Sequence, residues 1–121
     1  MAKHILIVDD EAEIREVLGH ALGYEGYRVS DVASALEAER LIATDPPQLI
    51  ISDLQLEDSD GLDMIRTLKA KYPDTPMMLL TGVYIDPQVV RDSLSPNVAS
   101  YLQKTVPLAE ILAEVRRLVG K

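Results

Sequence analysis

The sequence predicts an α/β fold in which five strands alternate with five helices. Short apolar runs rich in isoleucine, leucine and valine alternate with longer segments that repeat apolar residues at helical spacing. Right-handed crossovers between parallel strands place helices on both faces of one sheet. The run LIIS at 49–52 is apolar on successive residues, as a central strand buried on both faces requires. We therefore expect a doubly wound, five-stranded parallel sheet.

The strands and the first two helices are bounded by clear signals. The predicted strands are 4–8, 27–32, 48–52, 76–80 and 98–103. The first helix repeats apolar residues over 14–22 and ends near two glycines. The second begins at Ser34, which forms a capping box with Glu37, and it stops before Pro46.

The last three helices follow the third, fourth and fifth strands. One is predicted over 60–72, where it stops before a proline. The next opens with Asp86 and Pro87, a capping acid followed by a residue suited to the first turn, and it carries Val90 and Leu94. The last has a complete apolar stripe over 108–119.

Composition limits the class of protein. A chain of 121 residues with 47% hydrophobic content suits one core, so we expect a single domain over 1–121 without an effector domain. The absence of cysteine excludes disulfides and thiolate metal sites, and no leader or membrane-spanning run is evident, so we expect a cytoplasmic protein. A net charge of −8 opposes direct binding to nucleic acid or to anionic membranes.

Polar residues follow four of the predicted strands. Asp9 and Asp10 follow the first, Asp53 the third, Thr81 the fourth and Lys104 the fifth. If the strand order is 2-1-3-4-5, the first and third strands are neighbours, and three carboxylates meet where such sheets bind ligands. Close carboxylates raise one another's pKa, and a hard divalent cation such as Mg²⁺ would relieve the repulsion. The pattern therefore favours a functional site at this edge.

Each of these residues also has a purely structural interpretation. Asp10 is suited to cap the first helix, with Glu13 completing a capping box, and Glu11 suits the positive end of that helix. Asp53 is a common turn residue, and Lys104 is of a type that is usually solvated. The coincidence of all of them at strand ends outweighs these separate explanations.

Four motifs carry a family resemblance that extends over essentially the whole chain. The sequence resembles the receiver domain of two-component response regulators in the motifs IVDDE, LIISDLQLEDSDG, LLTG and YLQK. The resemblance implies a flavodoxin-like (βα)5 fold with strand order 2-1-3-4-5. It also implies a switch that a histidine kinase or histidine phosphotransfer protein phosphorylates in a Mg²⁺-dependent reaction. Such a domain is no enzyme toward other substrates, because it catalyses only its own phosphorylation and dephosphorylation.

The resemblance also implies roles for individual residues at the acceptor. Asp53 would be the phosphoacceptor, and the Mg²⁺ ligands would be Asp9, Asp10, Asp53 and the backbone carbonyl of Gln55. The residue types suit this chemistry, because a metal neutralises charge on the incoming phosphoryl oxygens beside a carboxylate nucleophile.

Three further residues would bind the phosphoryl group or respond to it. By the same resemblance Thr81 and Lys104 hold the phosphoryl group, and Thr81 and Tyr101 form the switch. The face made by the fourth helix, fifth strand and fifth helix would then meet a downstream partner or effector domain, and homodimerisation through it is left open. A contact that Thr81 makes only after transfer would shift a two-state equilibrium.

Two features depart from the family pattern. Thr105 replaces the proline that usually follows the lysine, and a cis bond before it would cost roughly 3 kcal/mol, so the state of the Lys104–Thr105 bond is left open. Glu57 replaces a proline four residues after the acceptor. Together with Asp58 and Asp60, it adds negative charge beside the site.

Three other functions compete with the switch. A haloacid-dehalogenase-like phosphatase also uses an aspartate nucleophile, but it normally has a second acid two residues later, where this chain has Gln55. A flavodoxin-like FMN carrier would set its phosphate against Asp9 and Asp10. The altered loop after Lys104 suggests a receiver fold that docks partners without being phosphorylated.

Overall fold

The computed structural model describes residues 2–56, 58, 60–89, 91–92 and 97–120. Within them, five strands form one sheet in the order β2-β1-β3-β4-β5, and every neighbouring pair is parallel. The predicted strand order is therefore confirmed. The strands are β1 His4–Val8, β2 Arg28–Val32, β3 Leu49–Ser52, β4 Met77–Thr81 and β5 Ser100–Gln103.

Each strand is followed by a helix, as predicted for a (βα)5 fold. The helices are α1 Ala12–Tyr24, α2 Ala35–Thr44, α3 Gly61–Lys71, α4 Pro87–Val89 and α5 Leu108–Val119. Asp86 Oδ1 accepts the Gln88 N–H at 2.8 Å, as predicted for the start of the fourth helix. The predicted apolar positions Val90 and Leu94 lie outside the described residues.

The sheet separates two hydrophobic clusters, because successive side chains of a strand point to opposite faces. Ile5 and Ile7 pack on one face with α1 and α5. Leu6 and Val8 pack on the other face with α2 and α3. All four residues of β3 are buried, as expected from the run LIIS. Helices thus cover both faces of the sheet.

Side-chain caps explain where two of the helices begin. Ser34 Oγ accepts the Glu37 N–H at 3.2 Å, which confirms Ser34 as the predicted cap. The Ser34 hydroxyl also donates to Glu37 Oε1 at 3.2 Å, whereas in a complete capping box that carboxylate accepts the backbone N–H of the cap residue. Asp60 caps α3 by accepting the Leu62 N–H at 2.8 Å. The interpretation of Asp10 as the cap of α1 is wrong: the N-cap is Glu11, and no side-chain cap bond is found there among the described residues.

Within the described residues, no helix is both long enough and apolar enough to span a bilayer.

Candidate functional site

The strand ends bring together the residues that the sequence predicts for one edge. Asp53 N–H donates to Val8 O at 3.0 Å, and Lys104 N–H donates to Thr81 O at 2.8 Å. These backbone bonds extend the parallel pairing one residue beyond the strands. Asp53 is therefore fixed beside the end of β1, and Lys104 beside the end of β4.

The Lys104 ammonium lies between carboxylates from two strand ends and from the start of α1. Its Nζ is 2.9 Å from Asp9 Oδ2 and 2.9 Å from Asp53 Oδ2. It also donates to Glu11 Oε1 at 2.5 Å. The side chains of Asp9, Asp53 and Lys104 are each at most 10% exposed, so their mutual attraction is screened weakly by solvent.

For both Asp9 and Lys104, burial and hydrogen bonding shift the pKa in opposite directions. Burial raises the pKa of the Asp9 carboxyl, and the hydrogen bonds from the Glu11 N–H and from Lys104 offset this effect only in part. Burial acts to lower the pKa of Lys104, but hydrogen bonds to Glu11, Asp53 and Asp9 outweigh it, and the pKa is raised. The lysine is therefore cationic, while ionised Asp9 carries a cost in the folded state.

The donor set at this edge fits a hard divalent cation. Asp9, Asp10, Glu11 and Asp53 each offer a carboxylate oxygen, and these four oxygens lie within 4.8 Å of one another. Mg²⁺ prefers oxygen ligands and usually takes one or two carboxylates together with water. Gln55, predicted to supply a backbone carbonyl, lies two residues after Asp53, and its backbone forms an isolated bridge with Asp60.

A close approach of backbones fixes the segment that follows Asp53. Gly61 N–H donates to Leu54 O at 2.7 Å. A Cβ built on Gly61 would lie 2.1 Å from Asp53 O and 2.8 Å from Leu54 O, which is closer than real Cβ atoms come to backbone. The glycine of the DG pair is therefore required by space at the candidate acceptor rather than by an unusual φ angle.

Two of the acids expected to add negative charge beside Asp53 are engaged elsewhere. Asp58 accepts the N–H groups of Ala35 at 2.9 Å and Leu36 at 3.1 Å, so it caps α2 from the β3–α3 loop. The Ala35 hydrogen bond is the main cause of a lowered Asp58 pKa. Asp60 caps α3. The third acid, Glu57, lies outside the described residues.

The predicted switch residues are joined through the loop after β4. Thr81 is fully buried, and its Oγ1 accepts the Val83 N–H at 3.2 Å. Tyr101 OH accepts the Ile85 N–H at 3.0 Å and donates to Val83 O at 3.3 Å. Both side chains thus hold the same short segment, Thr81 from inside the sheet edge and Tyr101 from the neighbouring strand.

The loop that carries Lys104 needs no proline to reach the site. No cis peptide bond occurs among the described residues, so the Lys104–Thr105 bond is trans. Val106 N–H donates to Gln103 O at 3.1 Å and closes a turn around Lys104 and Thr105. The departure at Thr105 therefore leaves the ammonium on Asp9 and Asp53.

Three contacts of the site were not predicted from the sequence. Glu11 was interpreted only as a helix-end charge, yet it binds Lys104. Arg15 Nη1 donates to Asp9 O at 2.7 Å and steadies the turn between β1 and α1. Asp58 caps α2 rather than adding free charge. The sequence offers one signal for the first of these contacts, an acidic residue directly after Asp9 and Asp10. The contacts of Arg15 and Asp58 depend on tertiary structure and have no local sequence signal.

Comparison with known proteins agrees with this geometry. A family model described as the response regulator receiver domain matches residues 5–116. The chain is 35% identical over 128 aligned positions to the response regulator MprA of Mycobacterium ulcerans (strain Agy99), covering 100% of this chain and 52% of that protein. The chain thus spans about half the length of the curated relatives it matches.

Solved structures with more than a quarter of positions identical share the architecture. The signal receiver domain of a signal transduction histidine kinase from Syntrophus aciditrophicus matches with a TM-score of 0.86 and 33% identity, over 98% of this chain and 90% of that chain. The BeF3-activated N-terminal receiver domain of Klebsiella pneumoniae RstA matches with a TM-score of 0.88 and 29% identity, over 98% and 99%. With the family match and the converging strand ends, these likenesses show that the chain belongs to the response regulator receiver domain family of two-component systems.

Proposed function

We propose that the chain is a phosphorylation-controlled switch in which Asp53 accepts a phosphoryl group from a histidine kinase or a histidine phosphotransfer protein. The observation that carries this proposal is the Lys104 ammonium placed 2.9 Å from both Asp9 and Asp53 at the carboxyl edge of the sheet. A receiver domain is a signalling module rather than a classical enzyme, so the chemistry proposed is confined to the chain's own aspartate.

The geometry around Asp53 suits a carboxylate nucleophile. Asp53 Oδ1 accepts the Leu54 N–H at 2.6 Å, and Oδ2 accepts from Lys104 at 2.9 Å, so the carboxylate is oriented by two donors. In the proposed step a carboxylate oxygen attacks phosphorus and the N–P bond of the donor phosphohistidine breaks. The imidazole nitrogen keeps the electron pair of that bond. The Lys104 ammonium stabilises negative charge on the transferring group.

The carboxylates of Asp9, Asp10 and Asp53, with the backbone carbonyl of Gln55, would hold Mg²⁺. When bound, Mg²⁺ neutralises charge on the phosphoryl oxygens during transfer. The raised pKa of Asp9 supports this assignment, because a buried carboxylate whose ionised form is costly gains most from a nearby cation.

The contacts of Thr81 and Tyr101 support a route from the site to the partner face. Thr81 Oγ1 accepts a hydrogen bond from Val83, so its own hydroxyl proton can be donated to a phosphoryl oxygen. Turning the hydroxyl toward that oxygen pulls on Val83, whose carbonyl is bound by Tyr101. Val83, Tyr84 and Val89 are exposed apolar residues on this side, and we propose that a downstream partner or effector domain contacts them.

Beryllofluoride, which mimics the phosphoryl group on a carboxylate, tests this proposal by NMR. With Mg²⁺ and beryllofluoride, amide signals of Thr81, Val83, Ile85 and Tyr101 should shift, while those of α2 change less. The shifts should be absent in Asp53→Asn and should need Mg²⁺.

The matched control is Asp74→Asn, which changes an exposed acid in the turn after α3. This variant should respond like the wild-type chain. Unchanged spectra in the wild-type chain, or equal shifts in Asp53→Asn, would contradict Asp53 as the acceptor.

A further inference from the structure

The three carboxylates that bind Lys104 differ in their exposure and in whether they are proposed to bind the metal. Asp9 and Asp53 are among the proposed Mg²⁺ ligands and their side chains are 3% and 9% exposed. Glu11 is 60% exposed. Glu11 is the N-cap residue of α1, but its side chain makes no cap hydrogen bond within the described part of the chain. Its carboxylate is therefore not used to cap the helix.

Lys104 and a divalent cation need the same oxygens. Asp9 Oδ1 already accepts the Glu11 N–H at 2.8 Å, and Asp53 Oδ1 accepts the Leu54 N–H at 2.6 Å. The other oxygen of each carboxylate, Oδ2, is bound by the Lys104 ammonium at 2.9 Å. An ammonium and a dication on the same pair of oxygens repel each other, so Lys104 must weaken its hold on Asp9 and Asp53 when the cation enters.

Glu11 is placed to receive the displaced ammonium. Its Oε1 is 2.5 Å from Nζ, the shortest of the three contacts, so Lys104 can keep this bond while it leaves the other two. The ammonium would then stay beside the site, close enough to meet an incoming phosphoryl group, instead of turning into solvent.

We infer that Glu11 is a positioning residue that holds the Lys104 ammonium when a divalent cation takes the Asp9 and Asp53 oxygens. The inference rests on the proposed function and adds to it a third acid whose role is exerted through Lys104. It predicts that Glu11 assists Mg²⁺ binding mainly when Lys104 is present. An acid that acted only as an additional charge or ligand would assist equally without the lysine.

A double-mutant cycle on Mg²⁺ affinity separates these two roles. Mg²⁺ is titrated by calorimetry into the wild-type chain, Glu11→Gln, Lys104→Met and the double variant, each first shown to melt cooperatively. Glu11→Gln should raise the Kd for Mg²⁺ roughly threefold or more beyond its effect in the Lys104→Met background, as expected for two residues in contact. Glu13→Gln, which removes an exposed acid from the first turn of α1, should change the Kd less.

A second readout keeps the native lysine, in case the Lys104 variant does not fold. The side-chain Cε signals of Lys104 are recorded at saturating Mg²⁺, and they should differ between wild type and Glu11→Gln more than they do without Mg²⁺. Equal effects of Glu11→Gln in both backgrounds, or identical Lys104 signals at saturation, would overturn the inference. A wild-type chain that does not bind Mg²⁺ would instead overturn the proposed function, and the inference with it.

Discussion

At the scale of single residues, the Asp9 carboxylate carries a cost that a cation can relieve. Burial raises its pKa in the folded chain, so the ionised form at pH 7 opposes folding. Asp9→Asn should therefore raise the free energy of unfolding in metal-free buffer at pH 7, as measured by urea denaturation with EDTA. The gain should shrink as the pH falls through the raised pKa of folded Asp9, and it should vanish below the ordinary value of 3.8, where the carboxyl is protonated in both states.

Added Mg²⁺ should reverse the order of stability. The wild-type chain gains stability from a cation that binds only the folded state, and Asp9→Asn loses a ligand and gains less. A variant that is less stable than wild type in EDTA would show that Asp9 is mainly structural.

Gly61 provides a second test at the residue scale. Gly61→Ala forces a Cβ into the carbonyl oxygen of Asp53, so the backbone at the acceptor must shift. We expect a loss of about 1–3 kcal/mol in the free energy of unfolding, as for other overpacked sites, together with weaker Mg²⁺ binding. Gly23→Ala is the matched control, since its Cβ would meet no described atom within 4 Å, and it should be neutral or stabilising. Equal losses in the two variants would contradict the steric explanation.

Residue positions at strand ends could be predicted because the topology decides which ends meet. Asp9, Asp53, Thr81 and Lys104 each follow or end a strand, so the parallel order is enough to bring them together. The contact of Glu11 with Lys104 joins positions 93 residues apart and depends on side-chain reach, which no local pattern encodes.

At the scale of elements, Asp58 ties the loop after β3 to the start of α2. Its carboxylate accepts two N–H groups that the helix leaves unpaired. Asp58→Ala should lower the free energy of unfolding by about 1 kcal/mol, the usual value of a cap, in urea denaturation at pH 7. Asp74→Ala, at an exposed turn acid, should change it far less. A similar small effect for both would show that the cap does not form in solution.

Glu114 connects β5 with α5, which are two of the three elements of the proposed partner face. Its carboxylate binds Arg117 at 2.7 and 3.0 Å and accepts from the Ser100 hydroxyl. Arg117 first, and then Ser100, lowers the Glu114 pKa from 4.5 to about 2. Glu114→Gln should lower the free energy of unfolding by about 1 kcal/mol at pH 7. The expected loss is small because solvent screens the exposed Arg117.

The stabilisation that the Glu114 carboxylate provides should depend on pH. An acid with a lowered folded pKa stabilises the chain above its ordinary pKa, and the contribution is lost as the pH falls from 4.5 toward about 2. The difference between wild type and Glu114→Gln in urea denaturation should therefore narrow over that range. Glu110→Gln, at an exposed position of α5, should show no such narrowing.

Strand boundaries were predicted to within two residues, and the largest error has a physical cause. The fifth strand was predicted from Val98, but β5 begins at Ser100. Val98 is buried in the core before the strand pairing begins, so its apolar character reports burial rather than strand geometry. β1 matches its prediction, and the next three strands differ from theirs by one residue at one or both ends.

At the scale of the whole molecule, the hydrophobic clusters and the proposed phosphorylation site lie at different places on the sheet. The two hydrophobic clusters lie on its faces, whereas the charged site occupies its carboxyl edge. The segment after β4, bound by Thr81 and by Tyr101, joins this edge to the α4–β5–α5 side of the molecule. We expect a charge change at Asp53 to reach the partner surface through this segment, whose Ile85 packs with Tyr101 against the cluster of Leu6 and Val8.

The most direct test of the central claim is mass spectrometry of the chain after incubation with acetyl phosphate. The account predicts one added phosphoryl group, located on Asp53 by peptide mapping, that forms with Mg²⁺ and not in its absence. Asp53→Asn should gain none. A wild-type chain that stays unmodified with Mg²⁺, or a phosphoryl group found on a residue other than Asp53, would contradict it.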